Sequence, residues 1–330
     1  MAQTTTAPQQ ERSEPVQQIN VPARGAGRDP KPHMFRKEYL GRSIVTFCGL
    51  FIIVLTIAIG AFLVYKGVGT FTVFGHSVGE FLFSAEWSPS DSGSQGGGAV
   101  GAAIFIFGSL VTCGLALLIA APFSLAAAVF ITEISPKLGS TLIQPTIEIF
   151  AGIPSVVYGW VGLTILVPFV RDIFNAPMGG YSVLAASIVL AVMIAPTITT
   201  VSADAIRGVP AMYREASYGL GSTRWQAIYK VMVPAALPGI VTGVVLGLSR
   251  AFGEALAVAM VIGKTRAFPD GLLSPTTNLT SAIASDMGNT ANGSEHNMAL
   301  WSMALLLLLI SMLFIVLIHF ISGRKEAADK

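Results

Sequence analysis

Charge is what this chain has least of. Asp, Glu, Lys and Arg make up only 12% of its 330 residues, about half the share found in soluble domains. An ordinary water-soluble globule is thereby excluded. With 53% hydrophobic residues and a mean hydropathy of +0.68, there is far more apolar surface than one soluble core can hide. Cysteine is almost absent. Cys48 and Cys113 both lie in apolar runs, which speaks against a disulfide framework or a thiolate metal site. There is no GxxxxGK followed by Ser or Thr, so no phosphate-cradling loop for ATP, and no HExxH or CxxC. The four histidines, His33, His76, His296 and His319, are scattered. The chain therefore reads as a non-enzyme with no cofactor or metal of its own. Uphill work would draw on a partner or an ion gradient. The net charge of +2 says little, and no nucleic-acid partner is expected.

Long apolar runs take the place of what is missing. A hydrocarbon core of about 30 Å needs about 20 apolar helical residues. Six stretches qualify, near 43–65, 99–132, 139–169, 181–203, 235–262 and 297–321. An all-α polytopic membrane protein with six transmembrane helices follows. Ala99–Thr132 is 34 uncharged residues, long enough at about 1.5 Å per residue to overshoot the bilayer. Strong tilt or a protruding end is expected there. Residues 1–42 are polar and Gln/Pro/Thr/Arg-rich, the composition of a disordered tail. The expected organisation is this tail, a membrane domain over 43–322, and a short tail over 323–330.

Lys and Arg orient the spans. With a cytoplasmic N-terminus, the inner segments hold Arg12, Arg24, Arg28, Lys31, Arg36, Lys37, Arg42, Lys137, Arg207, Arg214, Arg224, Lys230, Arg324, Lys325 and Lys330. The outer loops hold Lys66, Arg171, Lys264 and Arg266 alone. The asymmetry obeys the positive-inside rule and places both termini in the cytoplasm. Outside lie a Gly/Ser-rich loop over about 67–98 and an Asn/Thr/Ser-rich loop over about 264–296. A membrane-lipid partner is implied, and the basic tail suits an anionic leaflet.

The inner loop 204–234 carries the most local chemistry. Glu215-Ala216 opens one short helical stretch, Gly221 takes a positive φ and breaks it, and Ser222 or Thr223 caps a second from about Arg224 to Lys230. Pro234 is expected to close that second helix before the next span. The product is a cytoplasmic knob bearing Trp225, Ile228 and Tyr229, or an amphipathic linker lying on the membrane.

Three charges stand inside apolar runs. Arg250 is about 15 residues into its span, roughly 22 Å along a helix. A central arginine costs about 2.5–3.5 kcal/mol and needs a partner or a wet cavity. Glu254, one turn on, is the expected partner. This pair either fixes helix packing or meets an anion with the arginine's planar donor fork. Glu148 has no basic residue within a turn, so it is protonated or pairs across helices, with Arg250 as the candidate partner. Beyond it, Gly152-Ile153-Pro154-Ser155 has the chemistry of a helix that breaks and restarts at Pro154, presenting an N-terminus suited to an anion. A kink that only aids packing is the alternative. Tyr158 would line the same path.

Glu215-Ala216-Ser217, three residues, Gly221, nine residues, then Val231-x-Val233-Pro234 resembles the EAA loop of bacterial ABC-importer permeases, with Ser217 for Ala and Val231 for Ile. Glu148–Gly159, Gly247–Val258 and Leu279–Ala284 are similar to the PstC family of phosphate permeases, over about residues 99–321. The resemblance implies a type I ABC-importer permease fold in the bacterial inner membrane. It further implies a sister permease PstA, two copies of the ATPase PstB that bind ATP and Mg, an extracytoplasmic phosphate-binding protein PstS, and phosphate as cargo. Glu215, Ala216, Gly221, Arg224 and Trp225 would couple to the ATPase. Arg250, Glu254, Glu148, Pro154, Ser155 and Tyr158 would line the substrate pathway. A PstA-like role, a sulfate or molybdate permease and a gradient-driven transporter remain as alternatives.

Overall fold

The structure, a computed structural model, describes residues 32–90 and 97–328. Most of the expected tail, residues 1–31, lies outside them. The chain divides into two compact units at Ile57. The described part of the first is helical from Pro32, ahead of the expected boundary at residue 42, because proline suits a first helical turn and Arg36-Lys37-Glu38 are good helix formers. This helix, α1 (Pro32–Gly67), exposes every residue from Gly41 to Ile57. An apolar helix bare of packing is the surface that meets lipid or a neighbouring subunit.

The second unit, Ala58–Lys330, contains the rest. It runs α2 (Val78–Phe83), β1 (Trp87–Ser88), β2 (Ala99–Val100), α3 (Ala103–Ile134), α4 (Gln144–Gly152) and α5 (Ser155–Phe174). Then follow α6 (Val183–Arg207), α7 (Ala211–Gly219), α8 (Arg224–Gly253), α9 (Leu256–Val261), α10 (Leu279–Asp286) and α11 (Glu295–Ala328). Among the described residues, six helices are long and apolar enough to cross a membrane, in Gly41–Thr72, Ala103–Ile134, Ser155–Phe174, Met178–Arg207, Arg224–Gly253 and Glu295–Leu317.

The overlong second run is trimmed at its start, yet α3 still spans 32 residues, Ala103–Ile134. Ala99 and Val100 leave the helix to pair antiparallel with Trp87 and Ser88, and α3 starts at Ala103. At the centre, α6 buries Leu190, Ile194 and Ile198 completely and packs on both α3 and α8. Small residues every fourth position allow the close approach of α8. A Cβ on Gly239 would come 2.5 Å from Ala205, one on Gly243 3.1 Å from Val201, and one on Gly247 2.6 Å from Ile198. In a membrane, where association rests on packing, such a glycine stripe brings backbones together.

Prolines shape the helices in a repeated way. Ser135, Gln144, Val167 and Val233 each precede a proline, and each donates its N–H to the carbonyl five residues back rather than four. The widened turn clears the proline ring from the carbonyl that it would otherwise strike. One expectation is corrected by this. Pro234 does not end the inner helix; α8 runs unbroken from Arg224 to Gly253, so the loop's second helix and the fifth span are one element.

Two expected spans are also interrupted. The 139–169 run is not continuous: Ile153 and Pro154 are extended, ψ 130° and 140°, between α4 and α5. The 235–262 run is broken as well, because Glu254 turns to ψ 119° before α9 begins.

Candidate translocation site and coupling surface

The inner loop folds as two helices around Gly221, whose φ of +80° is a left-handed conformation natural to glycine. Thr223 caps α8 reciprocally with Gln226, its side chain accepting from the Gln226 N–H while the Gln226 amide oxygen accepts from the Thr223 N–H. Ser217 and Ser222 hydroxyls meet at 2.6 Å and bind the two arms together. The face so formed is exposed and apolar: Leu220 at 90%, Met212 at 69% and Trp225 at 61%, with Glu215 and Ala216 also exposed. Arg224 points elsewhere. It donates to the carbonyls of Glu133 and Ile134 at the end of α3, where partial negative charge gathers. Arg214 stands 3.5 Å from the buried Glu133 carboxylate. Two arginines thus tie the loop to the second span. Glu133 was missed in the sequence because a carboxylate after a long apolar run reads as a simple helix end.

In the middle of the membrane domain, the two broken spans meet. As the third and fifth spans they run parallel, and their restarted halves α5 and α9 pack directly together. Gly159 permits this: a Cβ there would lie 2.8 Å from both the Ala257 Cα and the Met260 sulfur. Each break is closed by its own side chain. The Tyr158 hydroxyl donates to the Phe150 carbonyl across the first at 2.7 Å. The Glu254 carboxylate accepts from the Ala257 N–H across the second at 3.0 Å, capping α9. Thr280 and Ser281, at the start of α10, donate to the Glu254 and Ala255 carbonyls at 2.8 and 3.4 Å. The second break has no proline, which is why periodicity passed over it.

Arg250 is therefore not paired with Glu254, which turns away to cap α9. Nor does it pair with Glu148, whose carboxylate accepts from the Gln144 amide at 3.3 Å. Glu148 lies on α4, ahead of the first break. Arg250 donates to the Thr197 hydroxyl at 3.1 Å and is otherwise exposed on the surface of the single chain. Pro154 occupies the cap position of α5 and Ser155 its first turn. An apolar groove of about 320 Å³, lined by Phe150, Ile153, Val157, Tyr158 and Val189 among others, opens beside this first break.

On the far side from the inner loop, Glu295 is completely buried at the start of α11. It accepts from the backbone N–H groups of Ser90, Gly97 and Gly98 at 2.8–3.2 Å and faces His76 Nε2 at 2.7 Å. His76 Nδ1 faces Glu80 at 3.3 Å. With a carboxylate on each nitrogen, the ring is satisfied only when doubly protonated. Burial works against that charge, but the hydrogen bonds and charges of Glu295 and Glu80 outweigh it and hold His76 above the ordinary imidazole range. Gly75-His76-Ser77-Val78-Gly79 does fit the GxSxG spacing of a hydrolase elbow. Its serine is a helix cap: Ser77 Oγ accepts from the Glu80 N–H at 3.0 Å.

Residues 120–326 match the family described as "Binding-protein-dependent transport system inner membrane component". The chain belongs to this family. It is 52% identical over 289 residues to the "Probable ABC transporter permease protein YqgH" of Bacillus subtilis (strain 168), covering 88% of this chain and 92% of that protein. It is 37% identical over 310 residues to the "Phosphate transport system permease protein PstC" of Pasteurella multocida (strain Pm70), covering 88% and 93%. The fold resembles a chain of a bacterial alginate ABC transporter with a TM-score of 0.61 over 88% of this chain and 96% of that one, at 15% identity. It also resembles the inward-facing MetNI methionine ABC transporter with a TM-score of 0.50 over 66% and 94%, at 22% identity. This binding-protein-dependent transport component is thus a multi-pass permease subunit of the bacterial inner membrane, with the fold of ABC-importer permeases. Its family works alongside further permease, ATPase and binding-protein subunits.

Proposed function

We propose that this chain is the PstC-type subunit of an ATP-driven phosphate importer, with both termini cytoplasmic. It works beside a PstA-type permease, two PstB-type ATPases that hold ATP and Mg, and a PstS-type binding protein. The observation that carries this reading is Arg250. A bare arginine in mid-span costs about 2.5–3.5 kcal/mol against lipid, and among the described residues only the Thr197 hydroxyl hydrogen-bonds to it. Its face therefore belongs against a water path or the sister subunit. Beside it begin two parallel half-helices, whose N-termini carry positive partial charge. One fork of donors and two helix starts suit a small oxyanion. Glu254 occupies the second start, so it competes with a fully ionised anion and accepts a hydrogen bond from a protonated phosphate oxygen. Sulfate lacks that proton. The phosphate permease of Pasteurella multocida, similar over most of its length, supports the choice of cargo.

The exposed Leu220, Met212 and Trp225 surface is the docking face for the ATPase, with Glu215 and Ala216 at its rim. Because α8 is continuous from Arg224 to Gly253, motion of that face reaches Arg250 along one rigid rod. The test is uptake of radiolabelled phosphate by the reconstituted complex. Arg250→Ala should lower it by about ten-fold or more, the scale of a lost charged hydrogen bond of about 1.5–3 kcal/mol. Unchanged uptake in that variant, or sulfate carried as fast as phosphate, overturns the reading.

A further inference from the structure

The orientation leaves four basic residues for the outer side, and two of them, Lys264 and Arg266, share one small cleft. It has a volume of about 50 Å³ and is walled by Lys264, Arg266, Thr277, Ser281, Ser285 and Asp286. One water needs about 10–15 Å³ of such space, so the cleft admits a guest larger than a single water. The backbone builds the place. Gly263 and Lys264 both take positive φ, +95° and +53°, and for a lysine that is an unfavourable conformation which persists where the surroundings impose it. Thr276 holds the turn from the other side, its N–H donating to the Ile262 carbonyl at 3.2 Å and its hydroxyl to the Ala267 carbonyl at 3.0 Å.

The two cations are used differently. Arg266 donates to Asp286 at 2.8 Å, which fixes its guanidinium at the cleft wall. Lys264 is exposed and forms no ion pair among the described residues. The cleft therefore keeps one positive charge in excess, with three hydroxyls around it. Ser281 belongs to two places at once: it lines the cleft, and its hydroxyl donates to the Ala255 carbonyl of the second helix break at 3.4 Å.

We propose that this cleft is a relay site for the transported oxyanion, one stage before the Arg250–Glu254 region. This rests on the phosphate reading above. The Lys264 ammonium and the Thr277 and Ser285 hydroxyls donate to phosphate oxygens, while the Ser281 hydroxyl stays on the Ala255 carbonyl. Asp286 keeps Arg266 in position and accepts from a protonated phosphate oxygen. One excess charge attracts the anion without trapping it.

The test uses the reconstituted complex with its binding protein and radiolabelled inorganic phosphate. Lys264→Gln should lower the maximal uptake rate about two- to five-fold, the scale of a half-exposed charged contact. The concentration of binding protein that half-saturates uptake should not move, and Lys264→Arg should restore the rate. Lys264→Gly serves as the folding control: it relieves the positive φ yet should lose the same activity. Unchanged uptake in both Lys264→Gln and Lys264→Gly overturns the proposal. So does a raised half-saturating concentration at an unchanged maximal rate, which would make the cleft a docking contact for the binding protein. If the unsubstituted complex carries no phosphate but another oxyanion, the cargo reading fails. The Lys264 variants measured with that anion then decide the relay by themselves.

Discussion

The two helix breaks sit side by side but are made in different ways. At Ile153-Pro154 the covalent structure does the work, because proline withholds an N–H and the preceding residue is driven to extended angles. Tyr158 then donates to the Phe150 carbonyl, which also accepts from the Ile153 N–H. At Glu254-Ala255 no residue forbids the helix. A carboxylate competes for the Ala257 N–H, and the α10 hydroxyls of Thr280 and Ser281 donate to the Glu254 and Ala255 carbonyls. One break is intrinsic to the sequence; the other is held by its neighbours. Interruption in a membrane is tolerated where freed backbone groups find partners, and at each break a side chain hydrogen-bonds to the backbone.

The contrast can be broken most severely at the contact that both breaks share. Gly159→Val would force a branched side chain between α5 and α9, where even one carbon has no room. Overpacking of this kind costs about 1–3 kcal/mol, and thermal unfolding in detergent together with phosphate uptake should both fall. A variant as stable and active as the parent would show that the two half-helices need not touch. Glu254→Ala comes next. Losing a cap costs about 1–2 kcal/mol, and Glu254→Gln, which keeps an acceptor oxygen, should recover most of the melting temperature. Equal losses in both variants would mean that charge, not capping, holds the second break. Tyr158→Phe should be milder, about 0.5–1.5 kcal/mol, because proline maintains the first break without help. If its loss exceeds that of Glu254→Ala, the ranking of the two breaks is reversed.

The smallest effect concerns the His76 anchor, remote from both breaks. A ring held above its ordinary value of 6.5 by Glu295 and Glu80 stabilises the fold fully below that value. The contribution disappears as pH rises through the elevated folded value. Melting temperature should therefore decline from pH 6 toward alkaline pH. His76→Gln should flatten that slope while leaving the pH response of Arg250→Ala variants unchanged. A parallel slope in His76→Gln would assign the decline to other groups.

Much of the site was legible. Gly221 and the Thr223 cap were placed by local chemistry alone, since turn and cap preferences act within a few residues. The first helix, however, opens at Ala211 rather than at Glu215-Ala216, because Pro210 sets its start. Gly152–Ser155 announced its own break. The pairing of Arg250 was not legible, because a helical spacing of four residues presumes a helix that continues, and α8 ends at Gly253. Glu133, Glu295 and His76 were missed for a related reason. Their partners lie far along the chain: Glu133 meets Arg214, and Glu295 meets His76 and the backbone around Ser90 and Gly97. The prolines at 145, 168 and 234 were legible as breakers, yet the helices absorbed them by widening the preceding turn.

The sequence by itself determined the membrane class and the six spans, because both follow from apolar length and periodicity, and from Lys and Arg placement comes the orientation proposed for them. It also determined the inner knob and the proline break, where steric rules act on adjacent residues. Tertiary structure alone decided that α8 reaches unbroken from the knob to Arg250, that a second break stands at Glu254, and that Arg250 faces outward rather than to a neighbouring carboxylate. Each of these depends on which hydrogen-bond partner is nearest in space. In a chain this poor in charge, the few polar groups settle where the fold brings a partner within reach.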